Sequence, residues 1–275
     1  MFDWWRRRRE AQLLSQRAIP DELWLATLAD YPFLQHRSLA HLAHLRELAT
    51  LFLARKEFHA TGGLVLTDAM ALAVAAQACL PILELGLDAY DDFVGIVLQP
   101  DQVVARRQWT DEDGIHHEGD EVLAGEVMPG GPVMLSWADV DAAGLAAQDG
   151  YNVVIHEFVH VLDMQAGGLA DGVPPLPDRA ARAHWLAVMG AELERFVAQV
   201  EAGTPTWLDP YAVHGLEEFF PVAAEAFFVA PLGLRQEHPA VYALLSDYFR
   251  QDPARHARPE RASRRRPGRS PPGTG

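Results

Sequence analysis

The sequence predicts an α+β domain, mostly helix around one small mid-chain sheet. Three observations lead there. Apolar residues recur at helical spacing in the first 80 residues and again after residue 150. Between residues 92 and 137 the apolar runs become short and partly β-branched. No internal repeat is visible that would turn the helices into a solenoid.

Trp4 to Ser15 reads as a helix, and Pro20 with Asp21 opens a second one through Leu28. Leu39, Leu42, Leu45, Leu48 and Leu51 fall at helical spacing, so His36 to Phe58 is expected as one longer helix, broken by Gly62 and Gly63. Thr67 can cap the next, which runs to about Leu80, where Pro81 follows. Asp92 to Gln99 reads as a strand, with weaker strands at Val103 to Trp109 and Val122 to Val127. The piece DEDGIHHEGD between them is expected as a turn or exposed loop. Pro132 to Trp137 is a further strand, and Ser136 with Asp139 forms a variant of the capping box. Helices return at Tyr151 to Met164, Ala180 to Ala202, Glu217 to Val229 and from Pro239 to about Phe249. Residues 1–250 are thus expected as a single domain. Residues 251–275, rich in Arg, Pro, Gly and Ser, are expected as a disordered tail.

Composition narrows the function classes. The chain has 275 residues, 49% hydrophobic and 22% charged, which permits a sizeable core and excludes global disorder, collagen and a disulfide scaffold. Its one cysteine, Cys79, cannot pair within the chain, which fits a reducing compartment. No apolar run follows the opening MFDWWRRRRE, so no secretory signal is expected. The longest apolar stretch, Ala69 to Leu87, is interrupted by Gln77, Pro81 and Glu84; it reads as a buried helix, not a membrane span. A soluble cytoplasmic protein is the expectation. The net charge is −15, unevenly placed: residues 10–249 hold 11 basic and 35 acidic residues, while both ends are arginine-rich. So acidic a body repels phosphates, and no direct nucleic-acid binding is expected. The basic ends are read as solvated segments. An amphipathic membrane-surface role for Phe2, Trp4, Trp5 and Arg6 to Arg9 is a lesser alternative.

One motif carries chemistry. Residues 156–160 read His-Glu-Phe-Val-His. On a helix, His156 and His160 share a face, close enough to bind one metal ion. Glu157 is rotated by about 100° from His156, so it flanks the metal without being forced to ligate it. That is the placement for a base acting on metal-bound water. The flanks YNVVI and VLDM make the helix apolar and rigid. Catalytic zinc takes three protein ligands and a water, so a third ligand is required. Asp163, His184, His214, Glu217, Glu218, Glu225 and His238 are the downstream candidates. Asp163 lies too near along the helix to complete a tetrahedron and suits a hydrogen bond to a ligand imidazole. Glu218 and Glu225 share a face of an otherwise apolar helix, which suits ligation by one and support by the other. Pro221 fits that helix only if it starts near Glu217.

HEFVHVLDM, preceded by VMLSWADV and DGYNVV and followed by EEFFPVAAEAFF, resembles the Mlc titration factor A family of zinc metallopeptidases. VAAQACLPILELGL adds to the likeness, which covers about residues 10–250. The resemblance implies a zincin-like fold and one zinc ion per chain. It implies His156, His160 and Glu218 as zinc ligands, Glu157 as catalytic base and Tyr211 as an assistant to catalysis; a phenol can donate to an oxyanion. Asp163 and Glu225 are left as supports. The function implied is zinc-dependent peptide hydrolysis of aminopeptidase type. Pro132 to Trp137 is offered as the strand on which a peptide or protein substrate could add. The resemblance also implies a possible partner, an Mlc-like glucose-responsive repressor. The alternative is a non-catalytic protein that sequesters such a repressor, with a vestigial or structural zinc site.

Overall fold

The computed structural model describes residues 2–110, 116–127, 130–166 and 168–257. Its helices are α1 (Phe2–Gln16), α2 (Asp21–Asp30), α3 (Leu39–Arg55), α4 (Asp68–Ala78), α5 (Trp137–Ala146), α6 (Val153–Asp163), α7 (Arg179–Glu201), α8 (Leu216–Val229), α9 (Pro231–Glu237) and α10 (Pro239–Phe249). Its strands are β1 (Glu57–Ala60), β2 (Gly95–Gln99), β3 (Val103–Thr110), β4 (His116–Leu123), β5 (Gly125–Val127) and β6 (Val133–Ser136). Five helices start at a residue whose side-chain oxygen accepts a first-turn N–H: Ser38, Thr67, Ser136, Asn152 and Asp178.

Four strands form one sheet in the order β1-β2-β6-β5. β1, β2 and β6 run parallel and β5 is antiparallel to β6. Ile96, Leu98, Val133 and Leu135 are fully buried or nearly so. α6 packs against β5 and β6 on one side and against α4 and α8 on the other, so it is the central helix of the core. Phe158 of α6 sits among the rings of Phe52, Tyr90 and Phe93, with centroids 5.1–5.6 Å away. Aromatic pairs of this kind contribute about 0.5–1.5 kcal/mol each beyond their buried area. They fix the rotation of α6 about its axis.

The structure corrects several expectations. The long helix expected to Phe58 ends at Arg55, and Glu57 to Ala60 become strand β1. Tertiary pairing decides this: Glu57 N–H donates to Val94 O at 3.0 Å, and Lys56 Nζ donates to the carbonyls of Tyr90 and Phe93. His116 to Leu123, expected partly as loop, is strand β4 of a separate hairpin with β3. α8 ends at Val229 as expected, and Pro231 opens a further short helix, α9, at its first turn, where the missing N–H costs nothing. Pro221 lies one residue deeper in α8 than expected, because the helix starts at Leu216; Glu217 O lacks its ladder donor. The first residues of the segment expected as tail, 251–257, pack on the domain. Gln251 is buried with Nε2 donating to Leu80 O at 2.8 Å, and Asp252 accepts from the Tyr242 hydroxyl at 2.6 Å. Residues 258–275 lie outside the described residues. Among the described residues no helix is long and apolar enough to cross a membrane.

Two outcomes follow from this packing. A Cβ at Gly144 of α5 would collide with the carbonyl oxygen of Asp30 at the end of α2. Gly144→Ala should therefore lower stability by about 1–3 kcal/mol in urea unfolding, the usual cost of overpacking; an unchanged midpoint would show that α2 yields freely. At the junction of α7 with α10, Arg195 Nη2 donates to Glu192 Oε2 at 2.5 Å and His238 Nδ1 lies 3.0 Å from the same oxygen. Burial alone would raise the Glu192 carboxyl, but Arg195 and His238 hold it below its ordinary value. A carboxyl depressed on folding contributes stability that is complete above its unfolded value near about 4.3 and is lost as pH falls through its folded value. Glu192→Gln should cost up to about 1 kcal/mol at pH 6, and the gap to the parent protein should close in more acidic buffer. A gap that widens on acidification would refute this.

Candidate metal centre

Asn152 caps α6, its Oδ1 accepting from Ile155 N–H at 2.9 Å, so the helix starts one turn before His156. With Phe158 locked in its aromatic cluster, the opposite face of α6 presents His156 and His160, whose side chains are each 13% exposed. α8 supplies the facing carboxylates. Gly215, at φ 152°, turns the chain into α8 in a backbone conformation that side chains with a Cβ rarely adopt. The turn places Glu218 in the first turn of α8, opposite the two imidazoles.

The donor atoms converge. His156 Nε2 and His160 Nε2 are 3.1 Å apart, and Glu218 Oε2 lies 3.2 Å from the first and 3.5 Å from the second. Tetrahedral zinc with bonds of about 2.0–2.1 Å requires ligand atoms roughly 3.3 Å apart. Two imidazole nitrogens and one carboxylate oxygen are also the donor types zinc takes. The residues therefore fit the ion. Among the described residues this is the one group of three or more His, Cys, Asp or Glu side chains so arranged.

Glu225, two turns along α8 and 2% exposed, reaches behind the site. Its Oε1 lies 2.7 Å from His156 Nδ1, and its Oε2 accepts from Asn152 N–H at 2.5 Å. The contact to Nδ1 leaves Nε2 of the same ring facing His160 and Glu218. Burial would pull the His156 imidazole down, but Glu218 and Glu225 outweigh it and hold it well above its ordinary value. Burial raises Glu225. Glu218, although partly buried, is held well below the carboxylate range by His156 and His160. The cluster attracts positive charge at one point between α6 and α8.

Glu157 is 6% exposed and lies beneath strand β5. A Cβ at Gly125 would come within 2.5 Å of its Cγ and Oε1, so this edge strand runs directly over the carboxyl group. Burial pushes Glu157 up to about 8, with Glu218 and Glu225 adding and His156 opposing. Tyr211 sits on the short helix Pro210–His214, 38% exposed, with its ring centroid 6.2 Å from that of His156.

Other expectations change. Asp163 makes no hydrogen bond to either histidine: its Oδ2 accepts from Gly172 N–H at 2.7 Å. Trp185 Nε1 donates to Gly172 O at 2.8 Å, so Asp163 ties the loop before α7 to α6 instead of orienting an imidazole. Burial pushes its carboxyl up to about 6. His184 is exposed on α7, and His238 belongs to the Glu192 cluster. His214 lies beside Tyr211, its Nδ1 2.7 Å from Tyr211 O. The strand expected to receive substrate, Pro132 to Trp137, contains β6, which is paired on both sides by β2 and β5. The edge near the site is β5. Sequence reasoning missed Gly125 and the reach of Asn152 to Glu225. An Asn just before a helix announces a cap, but nothing local announces its partner on α8.

The family model described as glucose-regulated metallo-peptidase M90 matches residues 2–250, and the chain belongs to that family. It is 37% identical over 209 residues to Mlc titration factor A of Serratia proteamaculans, covering 75% of this chain and 78% of that protein. It is 34% identical over 251 residues to Mlc titration factor A of Salmonella arizonae, covering 90% and 98%. An uncharacterized Synechocystis protein is 37% identical over 255 residues, covering 92% and 90%.

The geometry predicts an order of effects on metal content. His156→Ala or His160→Ala should abolish near-stoichiometric zinc in the purified protein, because two remaining protein ligands do not close the site. Glu218→Ala should do nearly as much. Glu225→Ala should weaken zinc about 10- to 100-fold, the usual effect of removing the partner of a ligating imidazole. Elemental analysis and competition with a chromophoric chelator read both quantities; the reverse order for the two glutamates would exchange their roles.

Proposed function

We propose that this member of the M90 family is a zinc-dependent peptidase in which His156, His160 and Glu218 hold one ion per chain. The single observation that carries the reading is the triangle of donor atoms at 3.1, 3.2 and 3.5 Å with a buried fourth group, Glu157, beside it. When bound there, zinc supplies Lewis-acid polarisation of a carbonyl and a water acidic enough to serve as nucleophile near neutral pH.

The remaining work falls to the chain's own side chains. Glu157 takes the proton of the attacking water and hands it to the leaving amine. Burial raises its affinity for a proton, which suits a group that must accept one from water. The Tyr211 hydroxyl donates to the oxyanion as it develops. β5 supports substrate binding: an extended peptide laid along this strand would pass over Glu157. Cleavage of aminopeptidase type is the finer form of the reading, and the acidic body suits a substrate with a free amino group.

A second reading rests on the name of the relatives, Mlc titration factor A. It makes the chain a binding protein for a transcriptional repressor, with or without hydrolysis. Glu157→Gln separates the two. The variant should keep zinc and lose about 10²- to 10⁴-fold in peptide hydrolysis, the range of a general base. Tyr211→Phe should lose about 10²- to 10³-fold in kcat, as for an oxyanion donor. Retained repressor binding in Glu157→Gln would make binding independent of chemistry; retained hydrolysis would overturn the peptidase mechanism. Equal turnover of N-acetylated and free aminoacyl anilides would refute the aminopeptidase form.

A further inference from the structure

α4 carries none of the residues assigned to the site, and its sequence, DAMALAVAAQA, is almost wholly apolar. The exceptions are Asp68, exposed in the first turn, and Gln77, which is fully buried. A buried amide is tolerated when all its strong hydrogen-bonding groups are used. Gln77 Nε2 donates to Ala73 O on its own helix at 3.0 Å, which turns Oε1 outward as an acceptor. That oxygen receives the side-chain Nδ2 of Asn152, also fully buried, at 2.7 Å. Asn152 Oδ1 is engaged as the cap of α6, and Asn152 N–H is given to Glu225 Oε2. Glu225 Oε1 meets His156 Nδ1.

We infer that Asn152 is a positioning residue of the metal centre, and that Gln77 fixes it from α4. The inference rests on the zinc reading above. Both faces of the Asn152 amide are specified, the donor by Gln77 and the acceptor by the helix start, so the residue has one orientation. The same residue's backbone N–H orients Glu225, and Glu225 orients the ring of His156. Gln77 thus acts on the ion through three hydrogen-bonded steps, without touching a ligand. A helix cap alone would require only Oδ1. The use of Nδ2 and of the backbone N–H links the cap to the rotamer of a ligating imidazole.

The test separates cap from positioning. Asp caps helices as well as Asn does, so Asn152→Asp keeps the start of α6 but sets an oxygen against Gln77 Oε1. Gln77→Met removes the acceptor at similar volume. Gln77→Glu, held protonated by burial, can donate to Ala73 O and accept from Asn152. The full-length protein is stripped of metal, and zinc affinity is read by chelator competition; the visible spectrum of the cobalt-loaded protein and the thermal midpoint of the metal-free protein are read alongside. Asn152→Asp should weaken zinc about 10- to 100-fold, Gln77→Met several-fold, and both should shift the cobalt bands. Gln77→Glu at pH 6 should stay near the parent affinity. The double variant should be no weaker than Asn152→Asp alone, because the contact is already lost. Zinc affinity and cobalt spectrum unchanged in Gln77→Met would overturn the inference, as would additive losses in the double variant. If Asn152→Asp fails to fold, the two Gln77 variants decide. A parent protein that takes up no stoichiometric zinc would instead sink the metal reading itself.

Discussion

A carboxylate cannot stay in a protein core without partners, and Glu225 is in this core. It is 2% exposed, in the middle of an α8 whose residues from Phe219 to Val229 are all buried. The penalty for desolvating it is offset only by the groups that reach it, His156 Nδ1 and Asn152 N–H. Both belong to the start of α6. The position of α8 relative to α6 is therefore set by a charge-assisted contact as well as by apolar packing. The distance from Glu218 to the two imidazoles follows from that position.

Everything around this contact limits the freedom of the two helices. Phe158 fixes one side of α6 in a cluster of rings from α3 and the loop before β2. Phe219, Phe220, Phe227 and Phe228 fill the far side of α8, and Trp185 of α7 packs edge-on to Phe220 at 5.0 Å. Asp163 and Gly172 tie down the loop between α6 and α7. Rigid helices suit a site whose ligand atoms must be held to a few tenths of an ångström. The less buried elements lie at the site's margins: the edge strand β5 and the short helix bearing Tyr211.

The electrostatic pattern matches that division. Glu218 is held ionised by the imidazoles it faces, while Glu157, more deeply buried, is pushed the other way, to about 8. Two carboxyls with opposed proton affinities suit two roles, one holding charge and one moving a proton. The repressor-binding reading makes no demand on this opposition, which is why the chemistry and the binding can be separated by a change at Glu157.

Periodicity and local chemistry determined much of this protein. The 3.6-residue spacing placed α2, α4, α6, α7, α8 and α10 within a few residues, because amphipathic repetition and the cap at Thr67 are properties of neighbouring residues. The pair His156 and His160 was legible for the same reason: four residues on a helix is a fixed distance. The tertiary structure decided what depends on closure between distant segments. Glu57 to Ala60 became a strand because β2 lay beside them. β6 became an interior strand because β5 paired with it. Asp163 turned to Gly172, and Gln77 found Asn152 across 75 residues of chain. Such contacts follow from where whole helices come to rest, and no spacing along the chain encodes that.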